Sequence, residues 1–209
     1  MKSLLEHYNK RKKEIKNRLR DFEGNYKKGD KHVFSELCFC LLTPQAEAIE
    51  CDKAINKLIK TGLLFNGRSK AISPYLKAAR FLNKKAEFIV NARAFFKRGS
   101  HFSIKGYIDK KDAFKTREWF AENIKGIGYK EASHFLRNIG FGKDLAILDV
   151  HILKNLKAYG VIKKIPKSLT KKEYIGIESK LKGFCKKINI PMDELDLLLW
   201  SKETGFVFK

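Results

Sequence analysis

Acidic residues are the scarce class in this sequence. Asp and Glu total 23 against 45 Lys and Arg, which leaves a formal charge of +22 over 209 residues. Such an imbalance implies a polyanionic partner, nucleic acid first and an anionic membrane surface second. Proline is also sparse, with four in the chain, and no Ser/Gly-rich stretch marks a linker. The four cysteines, Cys38, Cys40, Cys51 and Cys185, include no Cys-x-x-Cys pair and no closely spaced set of four. That spacing points to buried thiols. No His/Asp/Glu grouping has metal-ligand spacing, so no metal or other cofactor is expected. No run approaches the ~18 apolar residues of a membrane span. Met1 to Arg20 is basic and lacks the apolar core of a signal peptide. These absences predict a soluble intracellular protein, cytoplasmic or nucleoid-associated, with no membrane partner.

Apolar residues recur at helical spacing, and no convincing period-2 alternation appears. At 44% hydrophobic the chain can bury a core, in one domain or two small lobes. Helices are predicted over Ser3 to Phe22, with Leu4, Leu5, Ile15 and Leu19 as its apolar stripe, and over the densely apolar His32 to Leu42. Others are predicted over Ala46 to Thr61 and, as one or two helices, from Ser73 or Pro74 to Phe96. The remainder run from Lys110 to Ile124, from Tyr129 towards Gly140, over Val150 to Tyr159, Lys171 to Lys187 and Asp193 to Lys202. Gly62 to Pro74 reads as loop and Lys97 to Ile108 as irregular chain. Phe114, Trp119 and Phe120 are expected in the core. The fold class is all-α.

The most informative stretch is Ile124-Lys125-Gly126-Ile127-Gly128-Tyr129-Lys130-Glu131-Ala132. It reads as helix, tight Gly-Ile-Gly turn, helix. The turn leaves amides free at a helix N-terminus, where orphan donors and the helix dipole favour a phosphate. Gly126, Gly128 and Lys125 are therefore the candidate phosphate contacts. Lys130 lies in the first turn of the second helix, where a cation opposes the dipole by ~0.3–1 kcal/mol. Asp149 follows at the start of the next helix, as its N-cap.

This stretch resembles the helix-hairpin-helix of base-excision DNA glycosylases, and Leu148-Asp149-Val150-His151 resembles the Asp-x-His segment that follows it. The run Lys130-Glu131-Ala132-Ser133-His134-Phe135-Leu136-Arg137-Asn138, with Leu37 to Thr43 and the tail from Glu194 to Lys209, resembles the archaeal-type 8-oxoguanine DNA glycosylase/AP lyase family. The resemblance covers nearly the whole chain. It implies a two-lobed helical fold without an iron–sulfur cluster, treated as one unit over 1–209 with the hairpin at about 113–139 and the DNA cleft between the lobes. Two residues depart from the wider pattern: Lys125 stands where proline is common, and Val150 where a polar or basic residue is.

The implied chemistry is base excision from duplex DNA after the nucleotide is flipped from the stack. Lys130 is the candidate nucleophile, forming a Schiff base with the sugar that permits β-elimination; the helix dipole, Lys125 and burial would each favour its neutral amine. Asp149 is the candidate stabiliser of positive charge on the sugar, and would position or deprotonate the lysine. The resemblance further implies that Phe81 and Trp200 sandwich the base, that the α-carboxylate of Lys209 meets its Watson–Crick edge, and that Gln45 fills the space left in the stack. Read by themselves, Phe81 and Trp200 are core residues, Asp196 a surface carboxylate before it is a further contact to the base, and His134 and His151 structural residues. The expected partner is double-stranded DNA containing oxidised guanine, bound by a monomer. The same scaffold acting on another oxidised base, or a non-catalytic DNA-binding module, are the alternatives.

Overall fold

The computed structural model of the protein describes residues 2–77 and 79–209. Helix α2 (Asp30–Leu42) is the centre of the larger hydrophobic core, because every residue from Val33 to Leu42 is buried. A helix apolar on all sides needs neighbours on all sides. Those neighbours are α3 (Ala48–Lys60), α6 (Leu82–Phe96), α7 (Ala113–Asn123) and α8 (Tyr129–Asn138), which share one hydrophobic core with it. A second core joins α1 (Lys2–Lys27), α9 (Val150–Ala158), α10 (Lys171–Ile188) and α11 (Met192–Thr204). Helix α1 belongs to both walls, packing on α11 at one end and on α2 and α8 at the other. Its buried stripe is Leu4, Tyr8, Ile15 and Phe22, whereas Leu5 of the expected stripe is 38% exposed. Tyr8 takes the place of Leu5 because its hydroxyl finds a buried acceptor, donating to Glu194 Oε2 at 2.6 Å. Burial and that carboxylate push the phenol up.

A buried ion pair joins a helix of the first core to a helix of the second. Arg117 on α7 meets Glu178 on α10 through two bonds of 2.6 and 2.9 Å, with both side chains almost inaccessible. Glu178 also accepts the Ala146 N–H at 2.7 Å, so the segment before α9 hangs on the same carboxylate. The Tyr174 hydroxyl donates to the Ala146 carbonyl at 2.6 Å.

Several segments depart from the predicted helices. The expected loop over 62–74 contains two one-turn helices, α4 (Leu63–Asn66) and α5 (Ser69–Ile72). Leu64 and Ile72 are fully buried there, and Arg93 of α6 binds the carbonyls of Leu63, Leu64 and Gly67. Propensity alone would not hold such short pieces. The predicted run from Ser73 or Pro74 to Phe96 becomes a 3₁₀ turn (Ser73–Leu76) followed by α6, and its Ala78 lies outside the described residues, as does Met1. The irregular stretch after α6 holds a minimal hairpin, β1 (Lys97–Arg98) with β2 (His101–Phe102). Phe114, expected in the core, is 43% exposed and lies beside the Arg117 guanidinium, while Phe120 is fully buried. All four cysteines are free and buried. Burial raises each thiol, Cys51 to about 11 and Cys185 to about 12. Among the described residues no cluster of His, Cys, Asp or Glu could hold a metal, and no helix is long and apolar enough to cross a membrane.

Candidate active site

The hairpin is where the sequence most tightly dictates the backbone. Ile124 and Ile127 bury their side chains and anchor the turn from inside. The Ile127 N–H closes onto the Ile124 carbonyl at 3.0 Å. Gly126 between them has φ +93°, and a Cβ there would come within 2.4 Å of the Phe88 ring. Both the left-handed backbone and the close approach require glycine. Gly128 then caps α8, and its N–H donates to Glu131 Oε2 at 3.2 Å. Lys125, Gly126 and Gly128 are all exposed, so the turn presents backbone and cation to solvent.

Helix α8 carries Lys130 from this turn into a cleft lined by residues of α8, α9, α11 and the segment after α2. The cleft has a volume of about 1010 Å³. Its walls bring together five of the residues singled out in the sequence: Gln45, Lys130, Asp149, Trp200 and Lys209. Phe81, Lys125, Gly126 and Gly128 are not on that wall. The Lys130 side chain is 25% exposed, and its ion-pair partner is Glu131, with Nζ 2.9 Å from Oε1. Asp149 caps α9, accepting the Ile152 N–H on Oδ1 at 2.7 Å. One carboxylate oxygen is thus committed to the helix, as the sequence implied, and the residue still borders the cleft.

The far wall comes from α11 and the tail. Trp200 is half-buried and stands edge-on to Phe206, at 5.3 Å between centroids, and lies near Phe208. It belongs to neither core, which removes the plain core reading. Lys209 is fastened by its side chain: Nζ lies 3.0 Å from Glu36 Oε1 and 2.7 Å from Asp52 Oδ1, over the Phe39 ring. Burial works against this ammonium, but the two carboxylates outweigh it and hold Lys209 above its ordinary range.

Phe81 is an outlier of a different kind. It is 62% exposed and has φ +58°, a left-handed conformation that costs a bulky residue on the order of 1–3 kcal/mol. The core reading of Phe81 is therefore wrong. Gln45 is strained in the same way, with φ +55°. The two are linked through Arg80, whose NH1 donates to Gln45 Oε1 at 2.9 Å and whose guanidinium lies 5.0 Å from the Phe81 ring. Two strained, exposed residues are thus joined by one arginine beside the cleft wall at Gln45.

Four further side chains shape the site without having been singled out for it. Asp196 is not a surface carboxylate: its side chain is 11% exposed and meets Arg137 NH1 at 2.7 Å. Burial raises it to about 7 against the pull of Arg137, and Asp149 adds to the rise. His134 is buried edge-on to Phe39, and burial, with Arg137, Lys130 and Lys209, keeps its ring neutral. Lys85 of α6 donates to the carbonyls of Leu42 and Pro44 at 2.5 and 2.6 Å, fixing the loop that carries Gln45. Burial pushes the Lys85 ammonium down, and the neighbouring charge of Lys130 acts the same way. Lys85 is thus a cation near Lys130 that comes from far away in the sequence, visible there only as one of many lysines on a helix.

Comparison with known proteins agrees with this geometry. Residues 15–190 match the family described as 8-oxoguanine DNA glycosylase, of helix-hairpin-helix type. The chain is 44% identical to an 8-oxoguanine DNA glycosylase/AP lyase of Fusobacterium nucleatum, over 97% of this chain and 94% of that protein. It is 41% identical to the protein so named in Methanocaldococcus jannaschii, over 93% and 91%. Among solved structures it resembles the M. jannaschii glycosylase/lyase in complex with a 15mer DNA containing 8-oxoguanine, with a TM-score of 0.89, 34% identity and all of both chains covered. It also resembles the 8-oxoguanine DNA glycosylase of Thermotoga maritima, with a TM-score of 0.88 and 34% identity over all of this chain and 97% of that one. A helix-hairpin-helix that delivers a first-turn lysine into a cleft faced by an N-cap aspartate, matched along the whole chain by these relatives, identifies a member of the 8-oxoguanine DNA glycosylase family.

Proposed function

We infer that the protein excises 8-oxoguanine from duplex DNA and cleaves the resulting abasic strand as a bifunctional glycosylase/AP lyase. The observation that carries this reading is the convergence of Lys130, Asp149, Trp200 and Lys209 on one cleft beside the hairpin. In it the neutral Lys130 amine gives its lone pair to C1′. The C1′–N9 bond breaks with its electrons leaving on the purine, which takes up a proton while the amine gives one up. Opening of the sugar yields the imine. Loss of a C2′ proton then expels the 3′ phosphate, nicking the strand. Asp149 offers its uncommitted oxygen to the positive charge that develops on the sugar.

The base would lie against Trp200 in the cleft, with Phe81 closing from the rim when DNA is present. Lys209, its amine fixed by Glu36 and Asp52, would bring its main chain to the Watson–Crick edge. Gln45, steadied by Arg80, would enter the gap in the stack. The exposed turn at Lys125, Gly126 and Gly128 would grip one backbone phosphate. In this reading the enzyme works as a monomer on chromosomal DNA inside the cell, a setting favoured by its charge of +22.

The test is product analysis on duplexes carrying one 8-oxoguanine, one oxidised pyrimidine or one preformed abasic site. Release of free 8-oxoguanine with strand scission is expected. Scission of the abasic duplex alone would keep the lyase and reject the lesion.

A further inference from the structure

Three polar side chains of α8 fall on one line. Lys130, His134 and Asn138 follow each other at intervals of four, so they share one face of the helix. Lys130 and His134 border the cleft, whereas Asn138 is fully buried. Lys209 meets the same face. Its main chain lies against the His134 ring. Its amine is bound by Glu36 of α2, with Nζ 3.0 Å from Oε1 and 3.4 Å from Oε2. Glu36 in turn accepts the Asn138 side-chain amide on Oε2 at 3.2 Å. The Phe39 ring touches both partners, edge-on to His134 at 5.6 Å and 4.6 Å from Lys209 Nζ.

We propose that Glu36 is a positioning residue for lesion recognition: one carboxylate, bound to both the Lys209 amine and the Asn138 amide, sets the Lys209 main chain one helical turn from the Lys130 amine. The proposal rests on the reading of Lys209 as the contact to the base edge. Residues four apart rise about 6 Å along a helix. That offset is comparable with the span of a purine from its glycosidic bond to its Watson–Crick edge. A nucleophile at one end of the base and an acceptor at the other must keep this spacing. Helix α8 supplies it as a rigid ruler, and Glu36 fastens Lys209 to the ruler.

The chemistry of the contact suits a fixed anchor. A lysine side chain has four rotatable bonds, and ordering it is costly unless its ammonium is held by strong partners. The Glu36 side chain is 5% exposed, so water competes little for its oxygens. Asp52 on α3 holds the same amine at 2.7 Å, but its other hydrogen bond among the described residues is to Asn56 of its own helix. The link to the helix of the nucleophile therefore runs through Glu36. It continues beyond Asn138, whose carbonyl accepts the Asn25 side-chain amide of α1 at 2.9 Å.

The experiment measures single-turnover rates on two duplexes, one with 8-oxoguanine opposite cytosine and one with a preformed abasic site. Wild type, Glu36→Gln, Lys209→Met and the double variant are compared, with a thermal melt of each. The abasic duplex has no base, so a contact to the base edge does not enter its cleavage. Glutamine offers one acceptor oxygen to two donors and cannot hold both. The ratio of excision to abasic-site cleavage should fall by about tenfold or more in Glu36→Gln, because a misplacement on the order of 1 Å is enough for such a loss. Lys209→Met leaves Glu36 buried without its cation, so the melting temperature should fall along with the ratio. The double variant removes that orphan charge and should melt higher than Lys209→Met while its ratio stays low. A ratio that recovers together with the melting temperature, or a wild-type ratio in folded Glu36→Gln, would overturn the proposal while leaving the excision activity in place. If Glu36→Gln does not fold, the double variant decides by the same ratio. Wild type that cleaves the abasic duplex and releases no 8-oxoguanine would overturn the functional reading, and the proposal with it.

Discussion

Replacing Arg117 by Met tests how the two hydrophobic cores are held together. Arg117 and Glu178 are 3% and 6% exposed, and each satisfies the other through two short bonds. Methionine preserves the length of the side chain and removes the charge. Glu178 would then be left buried with the Ala146 N–H as its remaining partner. Removing one member of such a pair costs about 3–5 kcal/mol, because the survivor is an uncompensated buried charge. In a chain of this size that corresponds to a fall in Tm of roughly 6–20 °C. Thermal melts followed by circular dichroism, with urea titrations at neutral pH, measure it directly. Adding Glu178→Gln to Arg117→Met removes the orphan charge and keeps an acceptor for Ala146, so it should recover most of the loss. A single variant within about 1 kcal/mol of wild type, or a double variant no better than the single, would refute the reasoning. Because the pair joins the helix before the hairpin to α10, the folded fraction of Arg117→Met should also excise more slowly.

Two other perturbations separate stability from function. Phe81→Gly relieves a left-handed phenylalanine and should stabilise the DNA-free protein by about 1 kcal/mol. It should also slow 8-oxoguanine excision more than cleavage of a preformed abasic site; equal effects on both substrates would remove Phe81 from base recognition. Asp196 gives a pH prediction. Its folded-state value of about 7 lies above that of an unfolded aspartate, so its contribution to stability is fully present below the unfolded value and is lost as pH rises through about 7. Carbon-13 titration of the aspartate carboxyls should show one midpoint near 7 that is missing in Asp196→Asn. Titration of every carboxyl in the ordinary acid range would contradict the burial argument.

The parts of the fold that were legible in the sequence are those fixed by local chemistry. The glycine turn, the Asp149 cap and the apolar density of α2 each depend on residues close in the chain. Long-range contacts were not legible. Nothing local says that Arg93 will bind the carbonyls of Leu63, Leu64 and Gly67, and so the helices α4 and α5 were read as loop. Asp196 looked like a surface carboxylate because its partner, Arg137, lies on another helix. Phe81 was ambiguous because an aromatic at helical spacing looks the same whether it faces the core or solvent. Its positive φ and exposure, visible only in three dimensions, decide the matter. Lys85 was hidden by the abundance of lysine that makes the chain so basic. The Glu131 contact with Lys130 was hidden by the helical rule that neighbours in sequence do not face each other.

The most direct test of the central claim is borohydride trapping on a duplex carrying one 8-oxoguanine opposite cytosine, in wild type and Lys130→Gln, with the adduct mapped by peptide mass spectrometry. The account predicts a covalent adduct on Lys130 in wild type, none on an undamaged duplex, and none in Lys130→Gln although that variant still binds the DNA. An adduct on any other residue, or undiminished trapping in Lys130→Gln, would contradict it.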